Sequence, residues 1–337
     1  MTSASTCTVA LDAMGGDRAP GEIVAGGLRA VDEVGTDLIL VGREEEITPL
    51  LPGGAPPAGV EVLDARDVIA MDDEPLSSVR KQKDSSLVRC AELVREGRAD
   101  AMVSAGNTGA ATVAAVLRLG RISGVPSPAL AVTIPVPGDD HPQLLVDAGA
   151  VPDPAPERLV QYAVMGAAYL SSRFDLDEPR IGLLSNGEEP GKGDELRKAA
   201  YALLQAVPGF VGNVEGRDFM HPGIVDVVVT DGFTGNVALK CLEGAVRSLS
   251  ALVFRVLEST PEAKQASAVV LPMLLEAAEV YDPDVTGGAA LLGVRGVCVI
   301  SHGSSGANAI VNAVRVAAGG VRVGLISRME EALARAG

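Results

Sequence analysis

At 337 residues, 47% of them hydrophobic, the chain is long enough for one large α/β domain or two smaller ones. Its formal charge of −16 excludes a general attraction for nucleic acid, so any acidic partner must meet a local basic patch. Aromatics at only 3%, with no Trp, leave a core of Ala, Val, Leu and Ile, a composition suited to parallel strands covered on both faces.

Strand-length apolar runs alternate with segments of helical period. "TVALDAM" (8–14) leads into a helix that begins near Pro20. "DLILVG" and "VEVLDA" are the next strands, separated by a short acidic helix and the loop "LPGGAPPAG". "SSLVRCAELVREG" is an amphipathic helix ending at Gly97, and "ADAMVSAGNTGA" is strand then loop before "ATVAAVLRL". The strands "ALAVTIPV" and "QLLVDAG" precede a long helix from about Pro156 to Arg173. "RIGLLSNGEEPGKGDELRKAAYALL" repeats the order strand, loop, helix, and "GFVGNVEG" and "DVVVTDG" follow. A long helix starts near Asn236, a second runs from about Pro261 to Tyr281, and "GVCVIS" is the last strand before two closing helices. This alternation predicts a three-layer α/β/α fold with a largely parallel sheet.

The N-terminal "MTSASTCTVALDAMGG" lacks a basic n-region and an apolar h-region, and no run reaches the ~18 apolar residues of a bilayer span. Four cysteines without CxxC spacing suit a reducing compartment. A cytoplasmic protein is expected.

Five glycine-rich loops follow strands: "DAMGGD", "SAGNTGA", "SNGEEPGKG", "TDGFTGN" and "SHGSSGAN". Parallel strands would bring all of them to one sheet edge, where ligands bind in such folds. Loop amides at helix N-termini favour an anion, glycine lets the backbone approach it, and Ser, Thr and Asn add neutral donors. The candidate phosphate and substrate ligands are therefore Gly15, Gly16, Ser104, Gly106, Asn107, Thr108, Gly109, Asn186, Gly187, Gly193, Asp231, Gly232, Thr234, Gly235, His302, Gly303, Ser304 and Ser305. No loop matches GxxxxGK[ST] or a clean dinucleotide fingerprint, which favours inorganic phosphate or a phosphorylated group. No metal and no cofactor enter the expected site.

Lys192, between two glycines at a helix start, opposes the helix dipole unless an anion lies nearby. Asn236 is either an N-cap or a functional donor, and Lys240 either reaches the crevice or pairs with a carboxylate. His302 is an acid/base or a loop-bonding histidine. Asp12, Asp17 and Asp231 are loop-fastening acceptors or Mg²⁺ ligands. No GxSxG elbow is present, so a serine acyl-enzyme is not expected.

"VALDAMGGD", "VSAGNTGA", "GLLSNGEEPGKGDEL", "VVVTDGFTGNVALK" and "GGAALLGVRGVCVISHGSSGANAI" together resemble the phosphate acyltransferases of bacterial phospholipid synthesis, the PlsX type, over about residues 8–318. The resemblance implies transfer of a long-chain acyl group from acyl carrier protein thioester to inorganic phosphate. It also implies a fold like the isocitrate and isopropylmalate dehydrogenases, a homodimer, and loose contact with the membrane face. By motif, Lys192 and Asn236 take the catalytic positions. A short-chain phosphotransacylase using coenzyme A thioesters, a dehydrogenase on the same scaffold, and a non-catalytic scaffold that binds acyl phosphate or carrier protein are the alternatives.

An acidic carrier protein needs cations at its docking surface. "VRKQKDSSLVR" offers Arg80, Lys81, Lys83 and Arg89, and "RLGRISG" adds Arg118 and Arg121. One catalytic α/β domain over residues 1–337 is expected, with a helical segment at about 255–285 projecting for dimer, carrier-protein or membrane contact. The resemblance implies several lysines there. Between 256 and 294 this chain has Lys264 as its one basic residue, against Glu258, Glu262, Glu276, Glu279, Asp282 and Asp284, which argues against attraction to anionic lipid.

Overall fold

Eleven strands form one continuous sheet in the computed structural model, which describes residues 7–278, 281 and 283–336. The strands are β1 (Thr8–Asp12), β2 (Asp37–Gly42), β3 (Val60–Asp64), β4 (Ala101–Ser104), β5 (Ala129–Ile134), β6 (Gln143–Val146), β7 (Ile181–Leu184), β8 (Phe210–Val214), β9 (Val227–Val229), β10 (Ala289–Leu292) and β11 (Val297–Ile300). The helices are α1 (Gly21–Ala30), α2 (Glu44–Ile47), α3 (Pro75–Lys81), α4 (Ser86–Arg95), α5 (Thr108–Ala114), α6 (Pro156–Phe174), α7 (Glu195–Leu204), α8 (Gly232–Leu257), α9 (Pro261–Ala278), α10 (Pro283–Thr286), α11 (Ala307–Arg322) and α12 (Leu325–Ala336). Of the acidic residues between 256 and 294, Glu279 and Asp282 lie outside the described residues.

The sheet runs β3-β2-β1-β4-β11-β10-β5-β6-β9-β7-β8. Helices cover both faces, giving the three-layer architecture that the alternating pattern predicts. On one face α4 and α5, with the inner side of α8, close an aliphatic core around Met102, Leu130, Leu145 and Val228. On the other, α1 and α11 cover the β1–β4 half, and α6, α7 and α12 cover the β6–β9 half. Gly166 seats α6 on the sheet: a Cβ there would lie 2.9 Å from Val227 Cγ1 and 3.2 Å from Val146 Cγ1. Helix starts follow side-chain caps, with Ser85, Asn107, Asp194 and Asp231 each accepting a first-turn amide.

The sheet is not all parallel, and this corrects the expectation that five loops share one edge. β1, β4 and β11 run together, but β10 is antiparallel to both β11 and β5, and β5 is antiparallel to β6. β6, β9 and β7 then run parallel to one another in the reversed sense. The loops after β1, β4 and β11 therefore leave one edge of the sheet, and those after β6, β7 and β9 leave the opposite edge. Twist of ~20–25° per strand step offsets the two ends in direction as well.

No single helix among the described residues is long and apolar enough to cross a membrane. α11 and α12 pass that test only as a bent pair, and α11 buries Ile310, Val311 and Val314 in the core. By contrast, α8 and α9 leave Leu249, Leu252, Val256, Val269, Met273 and Leu275 exposed.

Candidate active site

Loops of the first group lock one another with their own side chains. Asp12, buried at the end of β1, accepts from Ser104 Oγ at 2.7 Å, and Ser104 Oγ in turn accepts from the Gly106 amide at 3.0 Å. Burial holds the Asp12 carboxyl above its ordinary range, partly offset by hydrogen bonds from Ser86, Ser104 and the Met14 and Gly15 amides. Gly15 packs over the pair, where a Cβ would lie 2.6 Å from Asp12 Oδ2 and 2.8 Å from the Gly106 nitrogen. Gly16, at φ +107°, lies against the Ala105 and Gly303 carbonyls, and the Asp17 amide donates to Gly303 O at 2.7 Å. Asp12 is thus a loop fastener.

Asn107 is fully engaged. It caps α5 through the Ala110 amide and donates to Met71 O at 2.9 Å and Asp73 O at 3.2 Å, which pins the 70–73 loop. Thr108 and Gly109 form the first turn of α5, with Gly109 against Pro75. His302 Nδ1 lies 2.9 Å from Ser304 Oγ, and Ser301 Oγ bonds Ser305 Oγ at 2.8 Å. The Ala307 amide at the start of α11 already donates to the Glu22 carboxylate at 2.8 Å. That helix start is filled by a side-chain anion of the protein itself.

The second group has a different construction. Asp147, fully buried after β6, accepts four amides: Leu130 at 2.9 Å, Gly149 at 2.9 Å, Ala150 at 2.8 Å and Val151 at 2.7 Å. Burial raises its carboxyl above the ordinary range, and the four amides oppose that rise. The first turn of α8 lies directly on this loop. A Cβ at Gly235 would be 1.9 Å from Asp147 O, and one at Gly232 would be 2.8 Å from Asp147 Oδ2 and from Val151 O. Only glycine permits the approach.

α8 begins at Gly232, a turn earlier than expected, because Asp231 is its cap and accepts the Thr234 amide at 2.8 Å. Asn236 is therefore inside the helix and is not its N-cap. Its exposed side chain donates to Ala148 O at 3.3 Å and lies against Gly149, where a Cβ would be 2.9 Å from Asn236 Nδ2.

In the β7 loop, Asn186 Oδ1 accepts the Gly193 amide at 2.9 Å, and the stem of Lys192 crosses Gly187, where a Cβ would meet Lys192 Cγ at 2.7 Å. Lys192 Nζ is half-exposed, 4.0 Å from the still more exposed Glu189 carboxylate. That spacing leaves the ammonium open to a better anion. Ser185 Oγ, buried at the start of the same loop, has no hydrogen-bond partner among the described residues.

Arg197, which the motifs did not single out, joins these loops. Only 9% of its side chain is exposed, and it donates to Asp194 Oδ2 at 2.8 Å, Thr230 Oγ1 at 3.0 Å and Thr234 Oγ1 at 2.9 Å, as well as to Asp231 Oδ2. Asp231 is buried, yet hydrogen bonds from the Thr234 amide and hydroxyl, and then the Arg197 guanidinium, more than offset that desolvation and hold its carboxyl below the ordinary range. The sequence signal was an arginine three residues beyond a capping Asp, facing inward on an otherwise apolar helix stripe. Lys240 pairs with Glu243 at 2.9 Å.

Arg80, Lys81 and Lys83 are exposed at the end of α3 and just beyond it. Arg89 pairs with Asp84 and Glu92, Arg118 pairs with Glu92, and Arg121 donates to Pro126 O, so these three are engaged within the chain.

Residues 7–328 match the model of a family described as fatty acid synthesis protein. A phosphate acyltransferase from Desulfitobacterium hafniense (strain Y51) is 47% identical over 328 residues, covering 97% of each chain. Another from Geobacillus sp. (strain WCH70) is 45% identical, covering 96% of this chain and 98% of its own. The chain belongs to the phosphate acyltransferase family. It is an acyltransferase. Among solved structures, a phosphotransacetylase from Streptococcus pyogenes superposes with a TM-score of 0.61 at 17% identity, covering 95% of each chain. A putative 4-hydroxythreonine-4-phosphate dehydrogenase from Salmonella typhimurium gives 0.54 at 14%, covering 94% of this chain and 99% of its own. These two likenesses concern the fold alone.

Proposed function

We propose that the chain transfers a long-chain acyl group from acyl carrier protein to inorganic phosphate, with the chemistry at the β6, β7 and β9 loops. The observation that carries this reading is Arg197, which ties the loop of Lys192 to the first turn of the helix of Asn236. Phosphate is already anionic near neutral pH, and a thiol of pKa ~8.5 leaves readily as thiolate, so no strong general base is required. A phosphate oxygen forms the new C–O bond, the C–S bond breaks, and the thiolate leaves to take its proton from water. The protein positions phosphate beside the thioester carbonyl and stabilises the tetrahedral oxyanion. Lys192, freed from Glu189 by the entering phosphate, supplies the cation, and Asn236 Nδ2 supplies a neutral donor. The first loop group serves as scaffold, since Glu22 and Asp12 already place carboxylates there.

Arg80, Lys81 and Lys83 form the docking surface for the acidic carrier protein. The apolar outer faces of α8 and α9 pair with a second copy to form a homodimer, and membrane contact is weak and peripheral. In a purified assay, Lys192→Ala and Asn236→Ala each lower turnover by ~10²-fold or more while the fold is kept. Near-normal acyl phosphate production by folded variants would defeat the assignment. Acetyl coenzyme A as the preferred donor would instead favour a short-chain enzyme.

A further inference from the structure

Between β5 and the inner face of α8 lies a cavity of about 380 Å³ that none of the glycine loops occupies. Val132 and Ile134 form its floor, Leu239, Leu242 and Val246 one wall, and Met220 the facing edge. Its polar groups come from Thr133 on the strand, from Glu243, Arg247 and Ser250 along the helix, and from Tyr281 and Thr286.

From this cavity we infer a binding groove for the hydrocarbon chain of the acyl group. The inference rests on the acyl-transfer reading above and adds where the chain lies. Asn236, Leu239, Leu242, Val246 and Ser250 recur at intervals of three and four residues, so they form one stripe of α8. The stripe starts at the proposed reacting centre. At 1.5 Å per residue it extends ~15 Å from Asn236 to Val246, a distance suited to a long chain and unnecessary for a short one. The aliphatic stretch from Leu239 to Val246, facing Val132 and Ile134, suits an alkyl chain.

The groove edge is also built rather than incidental. Met220 has φ +61°, uncommon for a non-glycine residue. Buried Gln143 holds it there: its Oε1 accepts the Met220 amide at 2.7 Å, while its Nε2 donates to Asp218 O at 3.0 Å and Val225 O at 3.2 Å. A flexible thioether at such an edge adapts to an alkyl chain.

The test measures kcat/KM for hexadecanoyl and butanoyl carrier-protein donors with wild type, Val246→Trp and Leu242→Trp, alongside circular dichroism and size-exclusion chromatography. The groove predicts that the ratio of hexadecanoyl to butanoyl kcat/KM falls at least about tenfold in both folded variants, the scale of losing one or two buried methylenes. An unchanged ratio in folded variants would overturn the groove while leaving the acyl-transfer reading standing. A changed oligomeric state with an equal loss for both donors would also overturn it, and would assign the cavity to a second copy. Absence of acyl phosphate from wild type with either donor would defeat the underlying reading itself.

Discussion

Replacing Arg197 by Met removes the guanidinium and keeps much of the side-chain volume. In the native structure Arg197 lies between Asp194, Thr230, Asp231 and Thr234, with only 9% of its side chain and 6% of that of Asp231 exposed. Without it, Asp231 is a buried carboxylate that keeps its helix-capping amide and loses its cation. Breaking a buried pair from one side costs ~3–5 kcal/mol. We expect denaturant unfolding of Arg197→Met near neutral pH to show a loss in that range. The pH dependence gives a second signature. In the native protein Asp231 has a depressed folded-state pKa, so its contribution is present above the ordinary carboxylate value of 3.8 and is lost as pH falls through the folded value below it. In the variant the carboxyl is desolvated and unpaired, its folded pKa rises, and protonation relieves the penalty as pH falls. The gap between wild type and variant therefore narrows in acid. A second change, Asp231→Asn, keeps a capping oxygen, removes the stranded charge, and restores part of the loss in Arg197→Met. A loss of less than ~1 kcal/mol, the range of exposed pairs, would refute the claim that this pair holds the two loops.

Other outcomes follow from the same geometry. Gly235→Ala places a methyl 1.9 Å from Asp147 O, a backbone atom, so α8 must shift; acyl phosphate production should fall at least tenfold, and wild-type turnover would contradict the contact. Asp147→Asn keeps an oxygen for the Leu130, Gly149 and Ala150 amides but turns an NH₂ toward Val151 N–H, with an expected loss of ~1–3 kcal/mol in thermal or denaturant unfolding. Under native conditions a thiol reagent should modify exposed Cys241 and spare Cys7, Cys90 and Cys298, which are buried; burial pushes the thiols of Cys7 and Cys298 to about 11 and about 12. Rapid modification of all four would contradict the packing.

The layering was legible because apolar runs, helical periods and capping residues agree along most of the chain. The reversal at the β5–β6 turn was misread, and β10 was not recognised as a strand. Only eight residues, 135–142, separate β5 from β6, and four, 293–296, separate β10 from β11. A parallel crossover needs a dozen or more residues, so both lengths dictated antiparallel pairing. β10, four residues within "GGAALLG", was too short for its alternation to register. Lys192 stands out in sequence as a cation at a helix start, whereas Asn236 reads equally well as an N-cap, a position that the structure gives to Asp231. Ser104 and Asn107 resemble ligand donors in sequence, but tertiary contacts engage them internally. Arg197 was hidden because its partners other than Asp194 are 33 to 37 residues away and meet it only when β7 and β9 pair.

The central claim is acyl transfer to phosphate, and the most direct measurement follows both products at once. With purified protein, a long-chain acyl carrier protein and radiolabelled inorganic phosphate, the account predicts labelled acyl phosphate formed in equal amount with free carrier thiol, both absent when phosphate is omitted. Thiol release at the same rate without phosphate, or with no label entering an acyl product, would contradict it.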